Sequence, residues 1–154
     1  MRSAKLAEAQ TISQQVCGYP CFRQSVAVQA MRGRIIFYSG NEALARKQLQ
    51  NALELDPDDQ GIRRALKNMK LSTELKDKAS ELFKKQEFQA AIDKFGECLE
   101  LDDLNVTYNA TIYFNMALAF QKLKKNEESL KCLNKAIAYN PKYAKAFYKR
   151  GEVN

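Results

Sequence analysis

The sequence predicts an all-α protein built as a solenoid of antiparallel helix pairs. Three observations carry the prediction. Three segments of the chain end alike. Only three prolines and six glycines occur in 154 residues, and the stretches between them are rich in Ala, Leu, Lys, Glu and Gln, which lose little rotamer freedom in a helix. The period-2 alternation of Val, Ile and Thr that marks a half-buried strand is missing.

The three endings are Asn51-Ala52-Leu53-Glu54-Leu55-Asp56-Pro57, Glu97-Cys98-Leu99-Glu100-Leu101-Asp102-Asp103 and Lys135-Ala136-Ile137-Ala138-Tyr139-Asn140-Pro141. Each sets a small residue, two aliphatic or aromatic anchors and a turn residue at the same offsets. Reading backwards, a small residue recurs early in the second helix of each unit (Ala45, Ala91, Ser129), and a large apolar one follows four later (Leu49, Phe95, Leu133). A small residue closes that helix at Ala52, Cys98 and Ala136. In the first helix, Gly33, Ala79 and Ala117 are small and Ile36, Leu82 and Phe120, three later, are bulky. Polar breaks at Ser39-Gly40-Asn41, Lys85-Gln86-Glu87 and Lys124-Lys125-Asn126 separate the two helices of each unit. Small residues at fixed points let helices approach closely while large ones fill the grooves. One hairpin cannot bury its apolar face alone, but a stack of three or more makes a continuous core. Asn140-Pro141 reads as a helix start, a capping side chain followed by proline at the first helical position.

This register resembles the tetratricopeptide repeat family over nearly the whole chain, which implies a right-handed solenoid. The usual aromatic residue early in the first helix is replaced by Gln29 and Leu75. The expected organisation is the end of one repeat cluster over residues 1–57, followed by a second cluster over 58–154. The first holds a partial repeat at 5–22 and a repeat at about 24–57. The second holds a long helix running from 58 to about 85, repeats at about 72–103 and 110–141, and a half repeat at 142–154. The long helix accounts for the wide spacing between Pro57 and Asp103, which exceeds one unit of about 34 residues by an insertion at 60–71. A smaller excess before Pro141 lengthens the connection through Leu104 to Asn109. Residues 5–16 read as a second helix without its partner and 142–154 as a first helix without its partner, so the chain is expected to be part of a longer solenoid. Phe147, Tyr148 and Val153 are then expected to leave an apolar strip bare, with self-association through the ends.

Composition excludes several functions. There is no histidine, hence no Ser-His or Cys-His pair and no imidazole base or metal ligand. Cys17, Cys21, Cys98 and Cys132 form no Cys-x-x-Cys pair, so zinc is not expected and buried thiols in a reducing compartment are. No catalytic residues, metal or cofactor are expected. The apolar runs are too short to cross a bilayer and no leader precedes them, which points to a cytoplasmic protein without a membrane partner. Asn105-Val106-Thr107 and Asn109-Ala110-Thr111 match the glycosylation triplet by chance. The net charge is +7 and the pI about 9.2. From Lys122 to Arg150 there are nine Lys or Arg against the acids Glu127 and Glu128, a field suited to an acidic peptide, a nucleic acid or an anionic surface, or simply to solvated helix faces.

One tetratricopeptide subfamily, the two-carboxylate clamp, grips the acidic C-terminal Glu-Glu-Val-Asp tails of the seventy- and ninety-kilodalton heat-shock chaperones. A chain end with two carboxylates needs convergent cations and amide donors. By resemblance the clamp positions are Lys76, Ser80, Asn115, Lys145 and Lys149. Ser80 replaces an asparagine and Lys149 an arginine, losing the bidentate fork; Arg150 should point away from the groove if Lys149 points in. The long inserted helix and the run Lys145-Ala146-Phe147-Tyr148-Lys149-Arg150 further resemble the tetratricopeptide-containing DnaJ-type co-chaperones. Those carry a J domain with a His-Pro-Asp tripeptide, for which this histidine-free chain has no counterpart. The resemblance therefore implies a chaperone adaptor. The alternatives are a general repeat scaffold without a clamp and an RNA-binding helical repeat. The second lacks the pair of side chains repeated once per unit that such readout uses.

Overall fold

A computed structural model describes residues 2–19, 22 and 25–153. Among the described residues there are eight helices and no strand: α1 (Arg2–Gly18), α2 (Val26–Tyr38), α3 (Glu42–Leu55), α4 (Gln60–Lys84), α5 (Phe88–Leu101), α6 (Val106–Lys122), α7 (Asn126–Tyr139) and α8 (Ala144–Val153). Cys21 and the expected junction between the units at 5–22 and 24–57 fall partly or wholly outside the described residues. The chain divides into two compact units, Met1–Leu71 and Ser72–Asn154. That division lies inside α4, whereas the sequence indicates a boundary at 57/58. The reason is local packing: Ile62 and Met69, on the first half of α4, are buried with Ala30, Leu49 and Ala52 of α2 and α3.

In the first unit α1 packs on α2, and α2 pairs with α3. In the second, two buried clusters follow one another. Ala79, Ala91, Phe95, Cys98 and Ile112 form the first, and Ala117, Cys132, Leu133, Ala136 and Ala146 the second. The small positions of the repeat register are buried (Gly33, Ala79 and Ala117; Ala45, Ala91 and Ser129; Ala52, Cys98 and Ala136), as are the large ones of the second helices (Leu49, Phe95 and Leu133), while Ile36, Leu82 and Phe120 of the first helices are partly buried. Small side chains are required there because neighbouring helices lie close against them. The Ser129 hydroxyl donates across the hairpin to the carbonyl of Ala117 at 3.0 Å.

The turns between paired helices share one design. At Gly40, Gln86 and Lys124 the backbone is left-handed, with φ of 91°, 67° and 60°. The next amide in each case, Asn41, Glu87 or Lys125, reaches back to the carbonyl of Ile36, Leu82 or Phe120. This satisfies a carbonyl that the helix end would otherwise leave orphaned. A left-handed conformation strains any residue with a Cβ. Gln86→Gly and Lys124→Gly are therefore expected to stabilise the second unit, each by about 0.5–1 kcal/mol net of the added freedom of the unfolded chain. Urea titration of each variant beside the parent checks this.

The junctions between units also repeat. Asp56, Asp102 and Asn140 each accept a hydrogen bond from the amide two residues on, at Asp58, Leu104 and Lys142. Asn140-Pro141 is thus a turn and not the helix start the sequence indicates. Its side chain is taken up by Lys142, and α8 begins only at Ala144. The long helix starts at Gln60 instead of 58, because Asp59 caps it by accepting from the Ile62 amide at 2.9 Å. The extra residues near 104–109 lengthen a helix rather than a loop. Asn105 caps α6 through the Tyr108 amide, and Val106 to Asn109 form its first turn. The third polar break lies at Leu123 to Lys125, with Asn126 already helical.

Asn105 and Asn109 are both buried, so neither presents an acceptor for glycosylation. Cys98 and Cys132 are buried thiols, and desolvation raises the pKa of each. Phe147 and Tyr148 are exposed as expected. Val153 is not, because it packs on the cluster of Ala117, Leu133 and Ala146. Among the described residues no helix is long and apolar enough to cross a membrane.

Candidate functional site

The five expected clamp positions lie in the second unit, on α4, α6 and α8. Residues four apart on a helix share a face, which aligns Lys76 with Ser80 on α4 and Lys145 with Lys149 on α8. Two cavities border α6, and Asn115 and Phe114, consecutive on that helix, line one each.

The first cavity, about 160 Å³, is bordered by Ser80, Phe83, Lys84, Phe95, Asn115 and Leu118. Its surface is almost wholly apolar, and the polar residues at its border are Ser80, Lys84 and Asn115. Ser80 donates its hydroxyl hydrogen to the carbonyl of Lys76 at 2.8 Å, which leaves its oxygen able to accept but not to donate. A carboxylate needs donors, so in this arrangement Ser80 contributes less than the asparagine it replaces. Asn115, half-buried, borders the same cavity with an amide side chain that can donate two hydrogens. Lys76 is also half-buried but borders neither cavity. Lys84, one turn beyond Ser80, is the lysine whose side chain borders the first one. The sequence reading misses it, although the spacing Lys76, Ser80, Lys84 carries the signal.

The second cavity, about 430 Å³ and more open, is bordered by Phe114, Lys145, Tyr148, Lys149 and Glu152. It brings Lys145 and Lys149 together. Lys145 is exposed, while Lys149 places Nζ 2.7 Å from Oε2 of Glu152. Hydrogen bonds from Lys149 and then from Tyr148 hold the Glu152 carboxyl below its ordinary pKa. Arg150 faces elsewhere: it donates to Oδ1 of Asn134 at 3.0 Å, and its guanidinium lies 5.3 Å from the centre of the Phe147 ring. A third cavity, about 550 Å³, lies in the first unit among Gln14, Arg32, Gln48 and their neighbours and holds none of the five positions.

Side chains of this kind have the chemistry to pair with an anion and to seat a short apolar group. They are not arranged as a nucleophile with its base.

Residues 122–154 match the TPR repeat family. The chain is 34% identical over 122 residues to a "DnaJ homolog subfamily C member 7 homolog" of Dictyostelium discoideum, covering 79% of this chain and 23% of that protein. It is 30% identical over 131 residues to the protein of the same description in Schizosaccharomyces pombe, covering 85% and 28%. The chain thus spans about a quarter of the length of these relatives. Among solved structures, the P58(IPK) TPR domain superposes with a TM-score of 0.66 at 18% identity, covering 83% of this chain and 36% of that one. That likeness is one of fold. Repeat register, buried small positions, shared turns and these similarities agree: the chain has the tetratricopeptide-repeat fold, and its residues 122–154 match that family's repeat.

Proposed function

We propose that this chain is a non-catalytic protein-interaction module of a co-chaperone, and that its second unit holds the acidic C-terminal tail of a heat-shock chaperone of the seventy- or ninety-kilodalton class. The supporting observation is the pairing of Asn115 with an apolar-floored cavity beside Lys84 and Ser80, next to a second seat carrying Lys145 and Lys149. The similarity to DnaJ-type relatives favours chaperones as the partners. A terminal carboxylate is taken by Asn115 and Lys84, with Lys76 at the groove's edge. The small apolar side chain just before the last residue of such a tail fills the cavity over Phe83, Phe95 and Leu118. Upstream carboxylates meet Lys145 and Lys149.

At a solvated groove each ion pair contributes about 1 kcal/mol or less, and a charge-assisted hydrogen bond about 1.5–3 kcal/mol. Several together give binding on the order of micromolar, about −8 kcal/mol. Calorimetry with a free-acid tail peptide and its C-terminal amide tests the reading. The amide is expected to bind at least about tenfold more weakly, and Asn115→Ala to weaken the free acid by about ten- to a hundredfold. Restoring Ser80→Asn and Lys149→Arg tightens it, and added salt weakens it. Equal affinity for acid and amide would mean that the groove does not read a chain end.

A further inference from the structure

We infer that Glu152 is a built-in competitor at the second seat, an internal counterion that a ligand carboxylate must displace before it can use Lys149. The inference rests on the clamp reading and specifies what controls its affinity. Three observations carry it. Glu152 borders the same cavity as Lys145 and Lys149. Its Oε2 lies 2.7 Å from Lys149 Nζ, the separation a ligand carboxylate would itself adopt. In keeping with that pairing, the carboxyl's pKa is lowered, first by Lys149 and then by Tyr148. The cation of one seat position is therefore already paired, and the exposed Lys145 is left to attract a ligand acid at that cavity.

The physical consequence is selectivity. An incoming carboxylate meets a second carboxylate about one hydrogen-bond length from the same ammonium, and like charges that share one cation oppose each other. An acidic stretch with nothing else to hold it gains little at this seat. A peptide whose end is anchored at the Asn115 cavity presents its upstream acid at high effective concentration, and so can displace Glu152. The seat thereby favours acidic chain ends over acidic segments in general, without a further contact to either.

Two peptides distinguish this inference from the clamp reading itself: a free-acid tail with a glutamate upstream of its last two residues, and the same tail with that glutamate replaced by glutamine. Glu152→Gln is expected to tighten the glutamate peptide about three- to fivefold, the range for one solvated ion pair, and to leave the glutamine peptide unchanged. In a Lys149→Ala background the gain disappears, because the freed cation is gone. Glu152 is on the surface of α8, and circular dichroism of each variant confirms that the helix content is kept. If both peptides gain equally, or if neither gains while the parent chain still distinguishes acid from amide, Glu152 is no competitor and the clamp stands. If parent and variant both ignore the tail, the clamp reading fails and this inference fails with it.

Discussion

Replacing Phe95 with alanine is expected to destabilise the second unit by about 3–5 kcal/mol, out of the roughly 5–15 kcal/mol typical of a folded domain. Phe95 is 1% exposed and is the largest fully buried side chain in the protein's described core. It sits with Ala79, Ala91 and Cys98, small residues that have little side chain with which to fill the hole. Its ring also borders the cavity beside Asn115, so the same substitution removes the floor on which a bound apolar side chain would rest. Urea titration followed by circular dichroism should move the midpoint down without changing the slope, which reports the surface exposed. Phe95→Leu separates the two roles. It conserves apolar character, is expected to cost well under half as much in stability, and still alters the cavity that Asn115 overlooks. A variant with nearly parental stability and weakened peptide binding would locate Phe95 in the groove as well as in the core.

The repeat register is legible because it follows from sterics that any chain must obey. A position against which another helix lies closely must be small, and Ala45, Ala91 and Ser129, all fully buried, satisfy that constraint at the same place in three hairpins. What the sequence misplaces are junctions, where short side chains choose between two nearby amides. Asn140 reads as a helix cap but closes a turn on Lys142. Asn105, with the same side chain, does cap a helix, through Tyr108. The two residue types are identical and the following proline in the first case favours either reading, so only the backbone path decides. The candidate site positions come from the resemblance to the clamp subfamily, and helical periodicity adds only that Lys76 shares a face with Ser80 and Lys145 with Lys149. Contacts that depend on side-chain direction are not legible. Ser80 turns its hydrogen back to Lys76, Lys84 reaches the cavity where Lys76 does not, and Glu152 takes Lys149. Each involves a rotatable side chain with more than one partner in reach. Periodicity places such a residue on a face but does not choose its partner.

Gly33→Ala is expected to destabilise the first unit by about 1–3 kcal/mol, although alanine is the better helix former by roughly 1 kcal/mol. The two effects oppose each other, and geometry decides the sign. A Cβ built on Gly33 would stand 2.7 Å from Cγ and 2.8 Å from Cδ2 of Leu49. Leu49 is itself fully buried, among Ala30, Ala45, Ala52, Ile62 and Met69, and a core at crystal-like density leaves it nowhere to move. At the matching places Ala79 and Ala117 already carry a Cβ, so the need for glycine is particular to this hairpin. Leu49→Ala alone should cost more, about 2–5 kcal/mol, through lost burial and the void left behind. Combined, the two substitutions should cost less than their sum by at least about 0.5 kcal/mol, because the methyl added at position 33 enters the space that the Leu49 side chain vacates. Four urea titrations, of the parent, both single variants and the double, measure that coupling. Strict additivity would show that Gly33 is small for some reason other than the approach of Leu49.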